Sequence, residues 1–167
     1  MLTVEEFKEC DAKYILSWIQ NEREFKMWSA DRYGEYPIKP SEMIQNYRSC
    51  SNNQPFYPIN FYENFEMIGH MILRYPEEGN RDLIRLGFII VNNEFRNCGY
   101  GRKIIELAMD YAIVNLKAKR FNLGVFTCNL PAFKLYSSVG FKTTKIMKNE
   151  FKFYDELWDW AEMEFTL

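Results

Sequence analysis

"EFRNCGYGRKI", Glu94 to Ile104, places two glycines, Gly99 and Gly101, one residue apart in a chain that has only 8. The apolar run "LGFIIV" comes just before it. From Gly101 to Lys119 the residues Ile104, Ile105, Ala108, Tyr111, Ala112 and Leu116 recur at helical spacing. A continuously apolar run followed by such a helix is a strand covered on both faces. The stretch is therefore a strand-to-helix turn. A turn of this kind offers free backbone N–H groups and the positive end of a helix dipole. It either only joins two elements or also grips an anion. Arg96, Arg102 and Lys103 flank it and could add charge-assisted contacts.

Two common nucleotide sites fail on spacing. A dinucleotide fingerprint needs a third glycine where this chain has Ile104. The G-x-x-x-x-G-K-[ST] loop is absent.

Outward from the turn, "FNLGVFT" reads as the next strand and Asn129 to Ser138 as the next helix, with Gly140 as its C-cap. Strand, helix and strand from Leu83 to Thr127 form a βαβ unit, so part of the sheet is parallel. Upstream, Asp11 can cap a helix carrying Ile15, Leu16, Trp18 and Ile19. "KMWSADRYGEYPIKP" reads as a connection and "EMIQNYRSC" as a helix after Ser41. "INFYE" and "EMIGHMILRY" read as strands joined near Asn64, and "EEGNRD" as a turn. "FKTTKIM" and "LWDWAEMEF" close the chain as strands. The expected fold is mixed α/β: a central, mostly antiparallel sheet with one parallel pair, flanked by helices.

A length of 167 residues predicts a single domain, 1–167. Aromatic residues make up 17% of the chain, which predicts a core rich in Phe and Tyr. A net charge of −2 gives no global field for nucleic acid, so any anion site is local. Four dispersed cysteines and a single histidine, His70, make neither a zinc set nor a disulfide framework, and no metal is expected. Free thiols suit a reducing cytosol. The charged N-terminus does not read as a signal peptide, and no apolar run approaches the ~20 residues that span a bilayer. A cytoplasmic protein without a membrane partner is expected.

"RNCGYG", Arg96 to Gly101, resembles the [Q/R]-x-x-G-x-[G/A] acyl-CoA signature of the GNAT N-acetyltransferase superfamily. "NLPAFKLYSSVGF", Asn129 to Phe141, resembles that family's later N-x-x-A-x-x-x-Y-x-x-x-G-F segment at every marked position. The two lie in the family's order. The resemblance implies acetyl-CoA as co-substrate and direct acetyl transfer to a primary amine.

It also implies roles. Arg96, Asn97, Cys98, Gly99, Tyr100, Gly101, Arg102 and Lys103 would surround the coenzyme pyrophosphate. Ile89, Ile90 and Val91 would flank the pantetheine arm, which enters a gap between two splayed parallel strands and pairs like an added strand. Asn129 would hydrogen-bond the arm, and Phe133 would lie against it. A backbone amide near Ile89 or Ile90 would meet the developing oxyanion. Tyr136 would be the acid that protonates the departing thiolate.

Some family members carry a glutamate early in the strand before the glycine turn. Here that position is Arg85, and no acid lies from Leu83 to Asn93. A water route is therefore the expected base. Glu94 is expected at the surface, and His70, inside "MIGHMIL", is expected to be a packed histidine. For the acceptor, the loop "WSADRYGEYPI" offers Asp31 and Glu35 to attract a cation, with Trp28, Tyr33 and Tyr36 to flank it. A solvated loop with aromatic anchors fits equally well. Small amines, polyamines, aminoglycosides and protein amines all remain open. Two other functions stay open: a non-catalytic acyl-CoA-binding module, and an interaction protein using the Trp158/Trp160 strand, which reads as core or as the edge of a homodimer.

Overall fold

The computed structural model describes all 167 residues. Seven strands form one sheet in the order β1-β2-β3-β4-β5-β7-β6. They are β1 Thr3–Glu6, β2 Phe56–Glu63, β3 Glu66–Arg74, β4 Leu83–Val91, β5 Arg120–Phe126, β6 Lys142–Phe153 and β7 Glu156–Thr166. Five helices cover it: α1 Ala12–Ser17, α2 Glu22–Ser29, α3 Pro40–Asn53, α4 Tyr100–Leu116 and α5 Leu130–Val139. No helix is long and apolar enough to cross a membrane.

Only β4 and β5 run parallel; every other neighbouring pair is antiparallel. The mixed sheet expected from the βαβ unit is the one observed. The β2–β3 hairpin turns at Asn64 and Phe65, both with positive φ, the geometry that matches the twist of paired strands.

The helices divide between the two faces. α4 and α5 cover one, burying Ile104, Ile105, Ala108 and Tyr136 against Ile84, Leu86 and Phe121. α1 to α3 cover the other, where Phe25, Met43 and Tyr47 meet Ile72 and Ile90. As alternation along β3 and β4 requires, the two clusters take opposite sides of the same strands.

Three readings need correction. β1 and α2 were not expected; the chain continues from Ser17 into a short turn and then a second helix, so Trp18 and Ile19 fall beyond α1. Asp11 precedes α1 but makes no side-chain cap. Its carboxylate instead accepts a local hydrogen bond from Lys8 N, which closes the 3-10 turn Glu9–Asp11 leading into α1, and a long-range one from Asn60 Nδ2. The strand with Trp158 and Trp160 is β7, which lies between β5 and β6, so it is no edge. Trp158 is buried against Phe126, Phe151 and Phe153.

Candidate active site

The parallel ladder between β4 and β5 is three residues long: Leu83 opposite Arg120, Ile84 opposite Phe121, Arg85 opposite Asn122. Beyond Arg85 the two strands part. β4 is bulged in the parted region: Phe88 and Ile89 together stand opposite Met71 of β3. Phe88 holds a φ of +47°, rare for a residue with a side chain. Its ring is anchored against Trp28, Tyr33 and Tyr47 at centroid distances of 5.1, 5.9 and 6.0 Å, packing that sustains the strained backbone.

A cleft of about 800 Å³ fills the gap. Its walls include Ile89, Ile90 and Val91 from β4, Asn129 and Tyr136 from the β5–α5 side, and Asn97, Gly99, Gly101 and Arg102 from the glycine turn. The sequence motifs, about 30 residues apart in the chain, meet across this one cavity.

The turn suits an anion by three features. Gly99 is the N-cap of α4 with φ +80°, a conformation glycine adopts freely. No side chain caps the helix and its first turn has no acid, so the leading N–H groups lack a side-chain acceptor. Arg102 and Lys103 bring positive charge to the positive end of the dipole, with Arg102 itself paired to Glu106 at 2.8 Å.

Gly101 is explained differently. A Cβ there would come 2.8 Å from the Leu135 side chain, so this glycine lets α4 approach α5.

Individual side chains divide sharply. Arg96 lines the cleft, but its guanidinium is already committed: it donates to Trp18 O (2.9 Å), Val91 O (3.2 Å) and Glu24 Oε1 (3.1 Å). It ties α2 to the turn. Tyr100, Lys103, Cys98 and Phe133 are outside the wall. Tyr100 donates to Glu63, and Lys103 Nζ sits 4.8 Å from the Tyr100 ring centroid. Cys98 is exposed, and Phe133 packs against the α4/α5-side core.

Tyr136 is buried in the cleft wall, and burial alone pushes its phenol above the ordinary tyrosine range. Asn129, the residue before α5, makes no side-chain cap and leaves its amide to the cleft.

His70 lies at the centre of a polar chain within the core. Asn60 Nδ2 donates to Asp11 Oδ2 at 2.8 Å, which turns Asn60 Oδ1 toward His70 Nδ1 at 2.7 Å. Nδ1 therefore carries the proton, and Nε2 accepts from the Tyr47 hydroxyl at 2.8 Å. Burial pushes the imidazole down to about 3, so it is neutral at neutral pH. It is the packed histidine expected.

Arg85 reaches Glu162 of β7 with two bonds, 2.8 and 3.0 Å, and Trp160 Nε1 donates to the same carboxylate at 2.7 Å. Burial raises the Glu162 carboxyl, but those hydrogen bonds more than offset it and the group sits below its ordinary range. A carboxylate held ionised in this way is a weak base.

Trp28, in the last turn of α2 rather than in a loop, reaches the cleft, whereas Asp31, Tyr33 and Glu35 in the loop that follows do not. Asp31 and Glu35 point to solvent, and Tyr33 packs beside Trp28 and Phe25. The sequence reading overlooked Arg32, Arg74, Gly124 and Trp160, which also line the cleft. A charged residue interrupting or ending an apolar strand, Arg74 at the end of β3 after "MIL" and Arg85 near the start of β4 after "LI", was the available signal.

The acetyltransferase (GNAT) family model matches residues 15–141, and the chain belongs to that family. The spermine/spermidine N(1)-acetyltransferase of Bacillus subtilis (strain 168) is 22% identical over an alignment of 91 residues that covers 52% of this chain. That match spans 60% of the length of the curated relative. Among solved structures, spermidine N-acetyltransferase from Vibrio cholerae, in complex with CoA and spermine, superposes with a TM-score of 0.80 at 21% identity, covering 99% of this chain and 95% of that one. Ribosomal-protein-alanine N-acetyltransferase from Brucella melitensis gives 0.77 at 18% identity, covering 99% of both chains. At these identities the likeness is one of fold.

Proposed function

We propose that this protein is an acetyl-CoA-dependent N-acetyltransferase acting by direct transfer to a primary amine, within one domain spanning 1–167. The observation that carries this reading is the meeting, in one cleft, of the uncapped α4 N-terminus with Tyr136 and Asn129. Acetyl-CoA supplies the acetyl group as a thioester. The backbone amides from Gly99 to Arg102 hold the pyrophosphate, with Asn97 and Arg102 beside it. Ile89, Ile90 and Val91 offer unpaired backbone to the extended arm, and Asn129 binds the arm from the opposite wall. Arg96 acts indirectly, by fixing the turn.

In the transfer, a bond forms between the amine nitrogen and the acyl carbon, and the carbon–sulfur bond breaks. Backbone N–H groups of Ile89 and Ile90, at the bulge, stabilise the charge on the acyl oxygen. Tyr136 keeps its proton because burial raises it. A free thiol sits near 8.5 and a free phenol near 10, so full proton transfer to the thiolate is uphill. Tyr136 therefore keeps its proton and donates a hydrogen bond that strengthens as charge gathers on sulfur, and the released thiolate takes its proton from water. Glu24, the one carboxylate in the wall, is engaged by Arg96. The proton lost from the amine then leaves through water.

A reducing, cytoplasmic setting accords with four free cysteines. The edge strand β6, 12 residues long, offers a surface for a homodimer.

Thermal shift with acetyl-CoA, CoA and NAD, followed by thiol release across amines, tests the reading. A ligand at about 100 times its Kd, bound only to the folded state, adds about 2.7 kcal/mol. Stabilisation by both CoA species but not NAD is expected; no response to either CoA species would refute the assignment. Stabilisation without thiol release on any amine would favour the acyl-CoA-binding module.

A further inference from the structure

The acceptor half of the cleft is positively charged. Of the charged side chains in the wall, five are arginines (Arg32, Arg74, Arg85, Arg96 and Arg102) and one is a carboxylate, Glu24. Arg96 and Glu24 neutralise each other, and Arg102 pairs with Glu106 at 2.8 Å. Of the remaining three only Arg85 has a close carboxylate partner, Glu162, which it occupies with both nitrogens.

Arg74 is the anomaly. It ends β3 directly opposite Arg85 of β4, and residues opposite one another share a face of the sheet. That face is the α1–α3 face, because Ile72, two residues earlier, packs there. Arg74 is half-buried and has neither a salt bridge nor a side-chain hydrogen bond within the chain. Burial, and then the charges of Arg85 and Arg32, depress its affinity for a proton. An unpaired guanidinium beside two others is unfavourable unless something anionic balances it. Arg32, at the mouth, has only a 3.9 Å contact to Asp31, itself 85% exposed. Trp28, in the same wall, has a buried indole N–H with no acceptor. Donors thus outnumber acceptors on this side of the cleft. A polyamine needs the reverse, carboxylates and ring faces to receive several cations.

We infer that the amine acceptor carries an oxygen anion, a carboxylate or a phosphate, which Arg74 binds with help from Arg32 while the amine is presented to the thioester at the β4 bulge. This inference rests on the acetyltransferase reading and names its substrate class. Arg85, fixed by Glu162 and Trp160, acts as the rigid floor against which Arg74 is placed.

The test has two arms. The first measures kcat/KM on matched acceptors that differ only in the anion: amino acids against their amides, and amino-sugar phosphates against the free amino sugars, with spermidine alongside. At least one pair should favour its anionic member tenfold or more, and which pair does so separates carboxylate from phosphate. In Arg74→Met that preference should collapse toward unity through KM. Preference for the neutral member in every pair, or spermidine as the best acceptor, would overturn the inference.

The second arm needs no turnover. Tryptophan fluorescence, which Trp28 and Trp160 report from the wall, is titrated with inorganic phosphate and acetate, with and without saturating CoA. Oxyanion binding that survives CoA and weakens at least tenfold in Arg74→Met is expected; binding unaffected by the substitution, or none, refutes the site. Failure of CoA to bind would instead strike at the acetyltransferase reading, and the CoA-free titration would still judge Arg74. Arg74→Met should keep or raise Tm, whereas an arginine with only a structural role would lower it.

Discussion

The indole of Trp160 of β7 reaches diagonally over Gly124 of β5, whose register partner is Glu162: a Cβ on Gly124 would come within 1.9 Å of the ring and 2.8 Å of Arg85 Nη2. Gly124 is the gap through which ring and guanidinium reach the cleft together. Gly124→Ala must displace a ring that is hydrogen-bonded to Glu162. Overpacking of this kind costs about 1–3 kcal/mol. Chemical denaturation should show that loss, and acceptor KM should rise while CoA affinity holds.

Tyr136→Phe separates catalysis from folding. Burial is the only perturbation of this phenol, and no partner in the chain loses a bond with it. Tm should change little. A donor to the departing sulfur contributes about 100-fold or more, so kcat should fall by that order with KM nearly constant. A variant with wild-type turnover at every pH would exclude Tyr136 from the mechanism.

Arg96→Met should act at a distance. The side chain joins Val91, Trp18 and Glu24, so its loss frees α2 from the turn and leaves Glu24 unpaired. A cost of about 1–3 kcal/mol follows from charged hydrogen bonds of this type. Calorimetry should find lower stability together with weaker CoA binding. Arg96→Lys, with one branch instead of a fork, should restore little of either.

Stability should decline in mild acid because of His70. Its folded value of about 3 lies below the unfolded 6.5, so the unfolded chain takes up the proton first. The contribution is complete above pH 6.5 and is lost as pH falls toward 3, at up to about 1.4 kcal/mol per unit. Denaturation at pH 7, 6, 5 and 4 should follow that slope. In His70→Phe the slope should flatten, but stability at pH 7 should be lower, because Asn60 and Tyr47 each lose a partner at about 1–3 kcal/mol per unpaired group.

The βαβ unit and the glycine turn could be read from the chain because their signals are local: a run apolar on both sides, then a long 3.6-residue period. β1 escaped because "TVEE" is four residues long with only Val4 partly buried. α2 escaped because "EREFKMWS" buries only Phe25 and Ser29. The side proposed for the donor was legible as a shared cavity, since the glycine turn, Asn129 and Tyr136 all line the cleft. The acceptor side was not. Arg74, Arg85, Gly124 and Trp160 meet through pairing between distant strands, and nothing in "SADRYGE" says that Asp31 and Glu35 face water while Trp28 turns inward. The choice of Asp31 and Glu35 favoured a cation; the residues in the wall favour an anion.

The three-residue ladder between β4 and β5 has a consequence for the molecule as a whole. β1–β4 and β5–β7 are joined along a seam about one strand-end wide, and past it each presents an edge toward the protein interior rather than toward solvent. Exposed edges recruit stray strands from other chains; these two are screened by helices on both faces and admit only something thin and extended. The sheet is thus left unfinished at its centre, and a ligand that fills the seam serves for as long as it stays as a length of the protein's own framework.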